Sequence, residues 1–412
     1  MKRSVALLFL FLAIPALRAS LLPGFALQQV AKASGFVSSI AVTTTGQVYY
    51  TTTSGGIYRI DGTTSVLVAQ ADTIAVSDSG LIGMALLNDT TAVVHYTRPN
   101  PNRGWNNDIL SEVVATVDLE SGTVSVLHEF ILNIEAPAAG GPAEHHGGNP
   151  VVGPDGSIYV GIGDYGGGLI AQLWEWNAGK IYRIFPNGDA TVVARGFRNP
   201  FDLAFDGVTG QLVAGDNGVA VDDEMDIIQQ GGNYGWPYTV GNNPPIDGGV
   251  PPAYVFPTVV VPTGMVAPNG ANPMLRHGIL LTSFVAKALL YFPTVTPHLP
   301  DPITIFASDA GPLIDVAQDG RGEIYIASGG VVYHLIAPQR GDCSGDGRVD
   351  AADYAALSGE LIGGASHSVF EARSGTMTGS WGCDVNSDGL INAADLEALR
   401  ELLPARRRAA RP

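Results

Sequence analysis

The 412-residue chain reads as an all-β, six-bladed β-propeller over residues 21–338, followed by a small all-α calcium-binding module over 340–404. Three observations predict this. A turn-and-strand phrase recurs through the first three quarters of the chain. Glycine is abundant, 52 residues, without a collagen period, which suits many tight turns between short strands. One cation-loop pattern occurs twice near the C-terminus.

The recurring phrase is a turn Gly followed by alternating apolar residues: Gly46-Gln-Val-Tyr-Tyr, Gly156-Ser-Ile-Tyr-Val, Gly210-Gln-Leu-Val-Ala and Gly322-Glu-Ile-Tyr-Ile. Successive copies lie two, one and two multiples of about 55 residues apart, the period of a several-stranded propeller blade. The series implies six units, with degenerate copies near residues 101 and 266. A β-sandwich would not need such a period. Pro154-Asp155-Gly156 and Pro186-Asn187-Gly188 are reverse-turn sequences, and strands are expected over 157–161 and 180–184.

The first cation loop runs Asp342-Cys-Ser344-Gly-Asp346-Gly347-Arg348-Val-Asp350-Ala-Ala-Asp353, the second Asp384-Val-Asn386-Ser-Asp388-Gly389-Leu390-Ile-Asn392-Ala-Ala-Asp395. Oxygen side chains recur at loop positions 1, 3, 5, 9 and 12, with the carbonyls of Arg348 and Leu390 at position 7 and a Gly for the sharp turn. That set wraps a hard cation, so one calcium is expected per loop. Helices are expected over 352–361 and 394–403. The alternative is a pair of polar Gly-turns before helices. Cys343 and Cys383, the only cysteines, stand at the heads of the two loops. A disulfide joining them would stabilise by about 4 kcal/mol in the chain-entropy model; two inert thiols are the alternative.

Residues 1–20 read as a secretory signal: Lys2-Arg3, an apolar run over 5–17 and a small-residue site near Ala19-Ser20. A secreted, periplasmic or extracellular protein follows, where a disulfide persists. No later segment reads as a membrane span. The net charge of −17 argues against nucleic acid as a partner. The tail, 405–412, with Arg406-Arg407-Arg408, reads as a disordered basic end.

Propeller function sits in loops gathered at one mouth. Three loops carry chemistry. Glu144-His145-His146-Gly147-Gly148-Asn149 offers His145 as a general base, with the adjacent Glu144 to hold its tautomer, and Asp164 follows the next strand. Arg198-Asn199-Pro200 offers a fixed cation and an amide for carboxylates or an oxyanion. Asp216-Asn217-Gly218-Val219, followed by Asp222-Asp223-Glu224 and Asn233-Tyr234-Gly235-Trp236-Pro237, offers carboxylates and carbonyls for calcium. The bland readings are surface-turn histidines, an arginine pinning blade carbonyls and a solvated acidic loop.

The cation loops, entered from Gly and Cys without a preceding helix and closed by Asp at position 12, resemble a type I dockerin over 340–404, the plug that docks extracellular enzymes onto cohesin-bearing scaffolds. The resemblance implies a cohesin-type partner. Its matching Ala351-Ala352 and Ala393-Ala394 pairs imply two nearly equivalent binding faces. The propeller phrases, in order, are Gly80-Leu-Ile-Gly83-Met-Ala85, His145-x-Gly-Gly, Gly153-Pro-Asp-Gly-x-x-Tyr159-x-x-x-Gly163-Asp164, Gly179-Lys-Ile-Tyr-Arg-Ile, Arg198-Asn199-Pro200, Gly218 with Asp223-Glu224, and Asn233-Tyr-Gly-Trp-Pro237. They resemble the soluble glucose/sorbosone dehydrogenase family, the pyrroloquinoline quinone (PQQ) aldose dehydrogenases. The resemblance implies oxidation of an aldose at C1 to the lactone. His145 would be the base, Arg198 and Asn199 would contact cofactor and reacting oxygens, the carbonyls of Gly218 and Val219 would hold calcium, Lys287 would contact cofactor and Glu224 would hold a further calcium. The chain departs from the family before its last Asp-Val strand, where Gly311-Pro312-Leu313-Ile314 replaces arginines that clamp the PQQ carboxylates. Two further readings follow: a non-catalytic propeller binding a glycan or a protein, and a calcium-dependent lactonase using Asp164, Asp216 and Glu224.

Overall fold

The structure, a computed structural model, describes residues 20–22, 25–75, 77–99, 110–131, 144–272, 274–309, 311–344, 348–362, 367–368, 381–386 and 390–403. The segment up to residue 19 that reads as a secretory signal, the tail, and Asp346 and Asp388 lie outside the described residues.

Six antiparallel sheets are arranged as the blades of a propeller. Blade 1 comprises Val37–Val42, Val48–Thr52, Gly56–Asp61 and Thr64–Gln70; blade 2 Leu81–Asn88, Thr91–Pro99, Leu110–Asp118 and Val124–Ile131. Blade 3 comprises Val151–Val152, Ile158–Ile162, Lys180–Ile184 and Ala190–Arg195; blade 4 Pro200–Phe205, Leu212–Asp216, Glu224–Ile227 and Tyr254–Val255. Blade 5 comprises Pro262–Val266, Ile279–Ser283, Ala288–Phe292 and Ile303–Ala307, with Ser20–Leu21 added at its outer edge. Blade 6 takes Asp315–Gln318, Ile324–Ser328 and Val331–Ile336, and is completed by Ala26–Lys32 from the other end of the chain. That borrowed strand closes the ring.

The strands are short and rich in β-branched and aromatic residues, and many are buried on both faces, as Val48–Thr52 and Ile279–Ser283 are throughout. The reason is the seam packing. Six apolar clusters lie among the described residues, and each spans neighbouring blades; one joins Ile57, Leu81 and Val94, another Ile181, Leu203 and Tyr234. A blade is therefore a sheet sandwiched between two others; its inner strands keep no polar face, while outer strands such as Thr64–Gln70 stay partly exposed.

The recurring glycines lie in the first-to-second strand turns of blades 1, 3, 4 and 6, at φ +93, +75, +69 and +89°. The left-handed backbone there favours glycine. The expected copy near 101 lies outside the described residues, and residue 266 ends the inner strand of blade 5. The second strands of blades 2 and 5 begin instead at Thr91 and Ile279.

The C-terminal module holds helices Ala351–Leu361 and Ala393–Leu402. Each begins with a capping box, Asp350 with Asp353 and Asn392 with Asp395, which satisfies orphan N–H groups of the first turn. Fully buried Leu357 and Leu399 join an apolar cluster that continues into blades 5 and 6 through Phe25, Leu275 and Ile324. Among the described residues no helix is long and apolar enough to cross a membrane.

Candidate active site and calcium loops

In an up-and-down blade, the second-to-third strand turns and the blade-to-blade loops open on the same face. That topology gathers the loop bearing His145, the turn bearing Asp164, the Arg198-Asn199 loop and the 217–223 turn at one mouth. The long stretch between Ile227 and Tyr254 returns to this face by running beside Arg195, through Arg195 N–H to the Gly232 carbonyl (3.0 Å) and Tyr234 N–H to the Arg195 carbonyl (2.9 Å). It delivers Trp236.

His145 has φ +67° and its N–H donates to Asp78 Oδ2 at 2.7 Å. Its Nδ1 lies 2.6 Å from Asp164 Oδ1. The sequence assigned tautomer control to Glu144; that residue is exposed, and Asp164 does the holding. Chain neighbours on an extended loop point apart, whereas Asp164 arrives across the top of blade 3. Asp164 is itself held: it accepts from Gly166 N–H (2.9 Å), Gly168 N–H (3.0 Å) and Trp236 Nε1–H (2.7 Å). Burial works to raise its pKa, but the His145 contact, then the Trp236 and Gly166 donors, keep it below the ordinary carboxylate value. An ionised Asp164 fixes Nδ1 as the protonated nitrogen and leaves Nε2 as the ring's acceptor.

Close backbone approach fixes the loop. A Cβ on Gly163 would lie 2.0 Å from the His145 carbonyl, and one on Gly147 2.0 Å from the Gly161 carbonyl. Gly147 N–H donates to Asn199 Oδ1 at 3.0 Å. Asp216 receives the N–H groups of Arg198 (3.0 Å) and Asn199 (2.6 Å), and Arg198 Nη1 donates to the Asn217 carbonyl at 2.9 Å. The Arg198 guanidinium lies 5.8 Å from the Trp236 ring centre.

The 217–223 turn has its own frame. Gly218 N–H donates to Asp223 Oδ1 (3.0 Å), and Asp223 Oδ2 receives Val260 and Val261 N–H, both at 2.8 Å, tying blade 4 to blade 5. Val219 is exposed, and its carbonyl receives Asp222 N–H at 3.2 Å. Beside this turn, Glu224 and Asp216, both offered by the sequence as calcium ligands, are joined by a third carboxylate that it did not single out, Asp226. Asp216, Glu224 and Asp226 are buried, with oxygens within 4.8 Å of one another. Both oxygens of Asp226 lack a partner. Burial, then mutual repulsion, raises Glu224 to about 8 and Asp226 well above its usual value; burial raises Asp216 to about 7. Three buried carboxylates need protons or a cation. Lys287 stands exposed in a blade 5 turn on the same face, and the structure does not draw it into the hydrogen-bonded group around Asp164 and Asp216.

The two C-terminal loops share one internal bonding scheme. Asp353 receives Ser344 N–H (2.9 Å) and Asp350 N–H (2.7 Å); Asp395 receives Asn386 N–H (3.1 Å) and Asn392 N–H (2.8 Å). Asp342 and Asp384, at loop position 1, are both buried. Arg348 and Leu390 are placed at position 7 of each loop. A disulfide joins Cys343 to Cys383, with Cα atoms 4.5 Å apart.

The molecule thus pairs a six-bladed propeller, its polar loops at one mouth, with a two-loop helical module. The glucose/sorbosone dehydrogenase family model matches residues 37–332, and the chain belongs to that family. The dockerin type I domain model matches 340–403. Quinoprotein glucose dehydrogenase B of Acinetobacter calcoaceticus is 33% identical over 129 residues, 24% of this chain and 27% of that protein. The chain therefore spans about a quarter of that curated relative. Among solved structures, a glucose dehydrogenase-type oxidoreductase from Thermus thermophilus superposes with a TM-score of 0.64 at 23% identity, covering 76% of this chain and 100% of that one. The PQQ-bound aldose sugar dehydrogenase of Streptomyces coelicolor superposes with a TM-score of 0.62 at 22% identity, over 76% and 99%. At those identities the likeness concerns the fold.

Proposed function

We propose that this chain is an exported aldose dehydrogenase that oxidises a sugar at C1 to its lactone and is attached to an extracellular scaffold through its dockerin. The observation that carries the reading is the His145–Asp164 pair at 2.6 Å, at the mouth where the Arg198-Asn199 loop also opens. Asp164 keeps the proton on Nδ1, so Nε2 takes the proton of the C1 hydroxyl, and the carboxylate stabilises the imidazolium that forms. Arg198, with one N–H on the Asn217 carbonyl, has others to orient the reacting oxygens.

A carboxylate-bearing quinone such as PQQ needs cations and, for a bridging calcium, oxygen acceptors. For the first, Arg198 supplies one at the mouth, and Lys287 stands on a blade 5 turn of the same face. Asn217 Oδ1, buried with no partner beside the carbonyls of Gly218 and Val219, supports the second. The residues fit the group with one gap: Leu313 and Ile314, buried and apolar, precede the blade 6 inner strand. Losing two charge-assisted contacts of about 1.5–3 kcal/mol each predicts weak binding. Such a quinone, when bound, would supply the acceptor for the C1 hydride. Arg198, Asn199, Lys287 and the 218–219 carbonyls would hold quinone and calcium, and Glu224 with Asp216 and Asp226 would hold a second cation. The dockerin loops would take one calcium each, with Asp346 and Asp388 completing them.

Calcium-loaded protein should be titrated with PQQ and then assayed for aldose-dependent dye reduction. Saturable binding with turnover supports the reading. No binding at high micromolar PQQ overturns it in favour of a glycan-binding propeller, the reading that the apolar Leu313-Ile314 pair favours.

A further inference from the structure

Beside the mouth, the loops that hold Asp164 also present two aromatic rings to solvent. The short helix Gly168–Gln172 begins where Gly168 N–H meets Asp164, and two residues beyond its end stands Trp174, 58% exposed. Two residues after Trp236 stands Tyr238, 65% exposed. The two segments are clamped together. Gln172 and Asn233 exchange side-chain amide hydrogen bonds at 3.0 and 2.8 Å, and Gln172 Nε2 also donates to the Trp236 carbonyl at 2.6 Å. Trp174 is held in place: the Arg195 guanidinium lies 4.3 Å from its ring centre. One face of the indole is fixed by a cation and much of the rest stands open. Trp174 and Tyr238 are thus two large exposed rings on adjoining segments that are bonded to each other.

We infer that Trp174 and Tyr238 form a subsite for further sugar rings, so that the ligand is the end of an oligosaccharide chain rather than a free monosaccharide. The C–H face of a pyranose stacks on an aromatic ring. Both rings stand on segments that bond Asp164, the partner of His145, so the proposed subsite adjoins the His145–Asp164 pair. This subsite rests on the reading of the mouth as a sugar site.

The test measures binding by calorimetry, with calcium and without quinone, for β-1,4-linked tetraoses of glucose, xylose and mannose and for the three monosaccharides. At least one tetraose should bind more tightly than its monosaccharide. In Trp174→Ala that preference should fall about tenfold, roughly 1.4 kcal/mol, while Trp174→Phe keeps most of it. Tyr238→Ala should lower it in the same direction. Equal affinity for tetraose and monosaccharide, or a preference unchanged in Trp174→Ala, overturns the subsite. A parallel dye-reduction assay separates the two claims. Ring-dependent tetraose binding without turnover keeps the subsite and sinks the dehydrogenase; monosaccharide turnover without tetraose preference does the reverse.

Discussion

Replacing Asp164 by Asn tests the proposed base at the atom that controls it. The carboxylate lies 2.6 Å from His145 Nδ1 and receives three further donors. An asparagine keeps the shape and can still accept from Gly168 and Trp236 with its oxygen. Its amide N–H then faces Nδ1, which turns that nitrogen into the acceptor and puts the proton on Nε2, where the base is needed. Loss of one charge-assisted hydrogen bond to the developing imidazolium is worth about 1.5–3 kcal/mol, roughly ten- to 150-fold in rate. The inverted tautomer adds to this, so kcat should fall by about 10²–10⁴ with KM changed little. Dye reduction with saturating PQQ and calcium measures kcat, and near-ultraviolet circular dichroism checks that the mouth is intact. A kcat within threefold of the parent protein would refute the assignment of His145 as the base oriented by Asp164.

Glu112 is fully buried between His95 and His146, 2.7 Å from His146 Nδ1. Burial works to raise its pKa, but the two histidines hold it at about 2. A lowered folded value means stability present above the unfolded pKa near 4.5 and lost as pH falls through about 2, on the order of 3 kcal/mol. Urea denaturation at a series of pH values should show that loss, and Glu112→Gln should flatten it; parallel curves would contradict the account. If calcium closes the C-terminal loops as proposed, removing it should expose the amides of the 351–361 and 393–402 helices to hydrogen exchange well before the blade strands; equal loss in both regions would contradict it. Reducing the Cys343–Cys383 bridge should lower the module's stability by about 4 kcal/mol at equal calcium, and free thiols on both residues in an unreduced digest would remove the basis for this. Asp226→Asn should lower the calcium bound per chain by one equivalent, measured by atomic emission; unchanged stoichiometry would show that protons rather than a cation balance the Asp216–Glu224–Asp226 group.

Much of the ring was legible because its first-to-second strand turns demand a left-handed residue. Gly46, Gly156, Gly210 and Gly322 all meet that demand. Blade 2 escapes the pattern since its turn is made by Asn88, whose Oδ1 accepts Thr90 N–H at 2.9 Å, an arrangement that needs no glycine. Blade 5 escapes it because its first two strands are separated by the long stretch from Val266 to Ile279. In the site, His145, Arg198 and Asn199 stood out as polar loop residues. The role of Asp164 was hidden, because pairing across a strand and a turn leaves no local spacing. Asp226 was hidden for another reason. It lies two residues from Glu224 on the same strand face, but in sequence an acidic residue near an acidic loop reads as solvated, and only the fold shows it buried.

The ring closure also sets how the molecule answers to tension. A pull on the C-terminal module is transmitted through residues 337–339 to Val331–Ile336. That strand is no edge: Ala26–Lys32 is zipped to one side and Ile324–Ser328 to the other. Drawn along its own axis, it would have to break two ladders of hydrogen bonds at once rather than peel one open bond by bond. The borrowed strand that completes the circle therefore also works as a splint for the strand that leads into the C-terminal module.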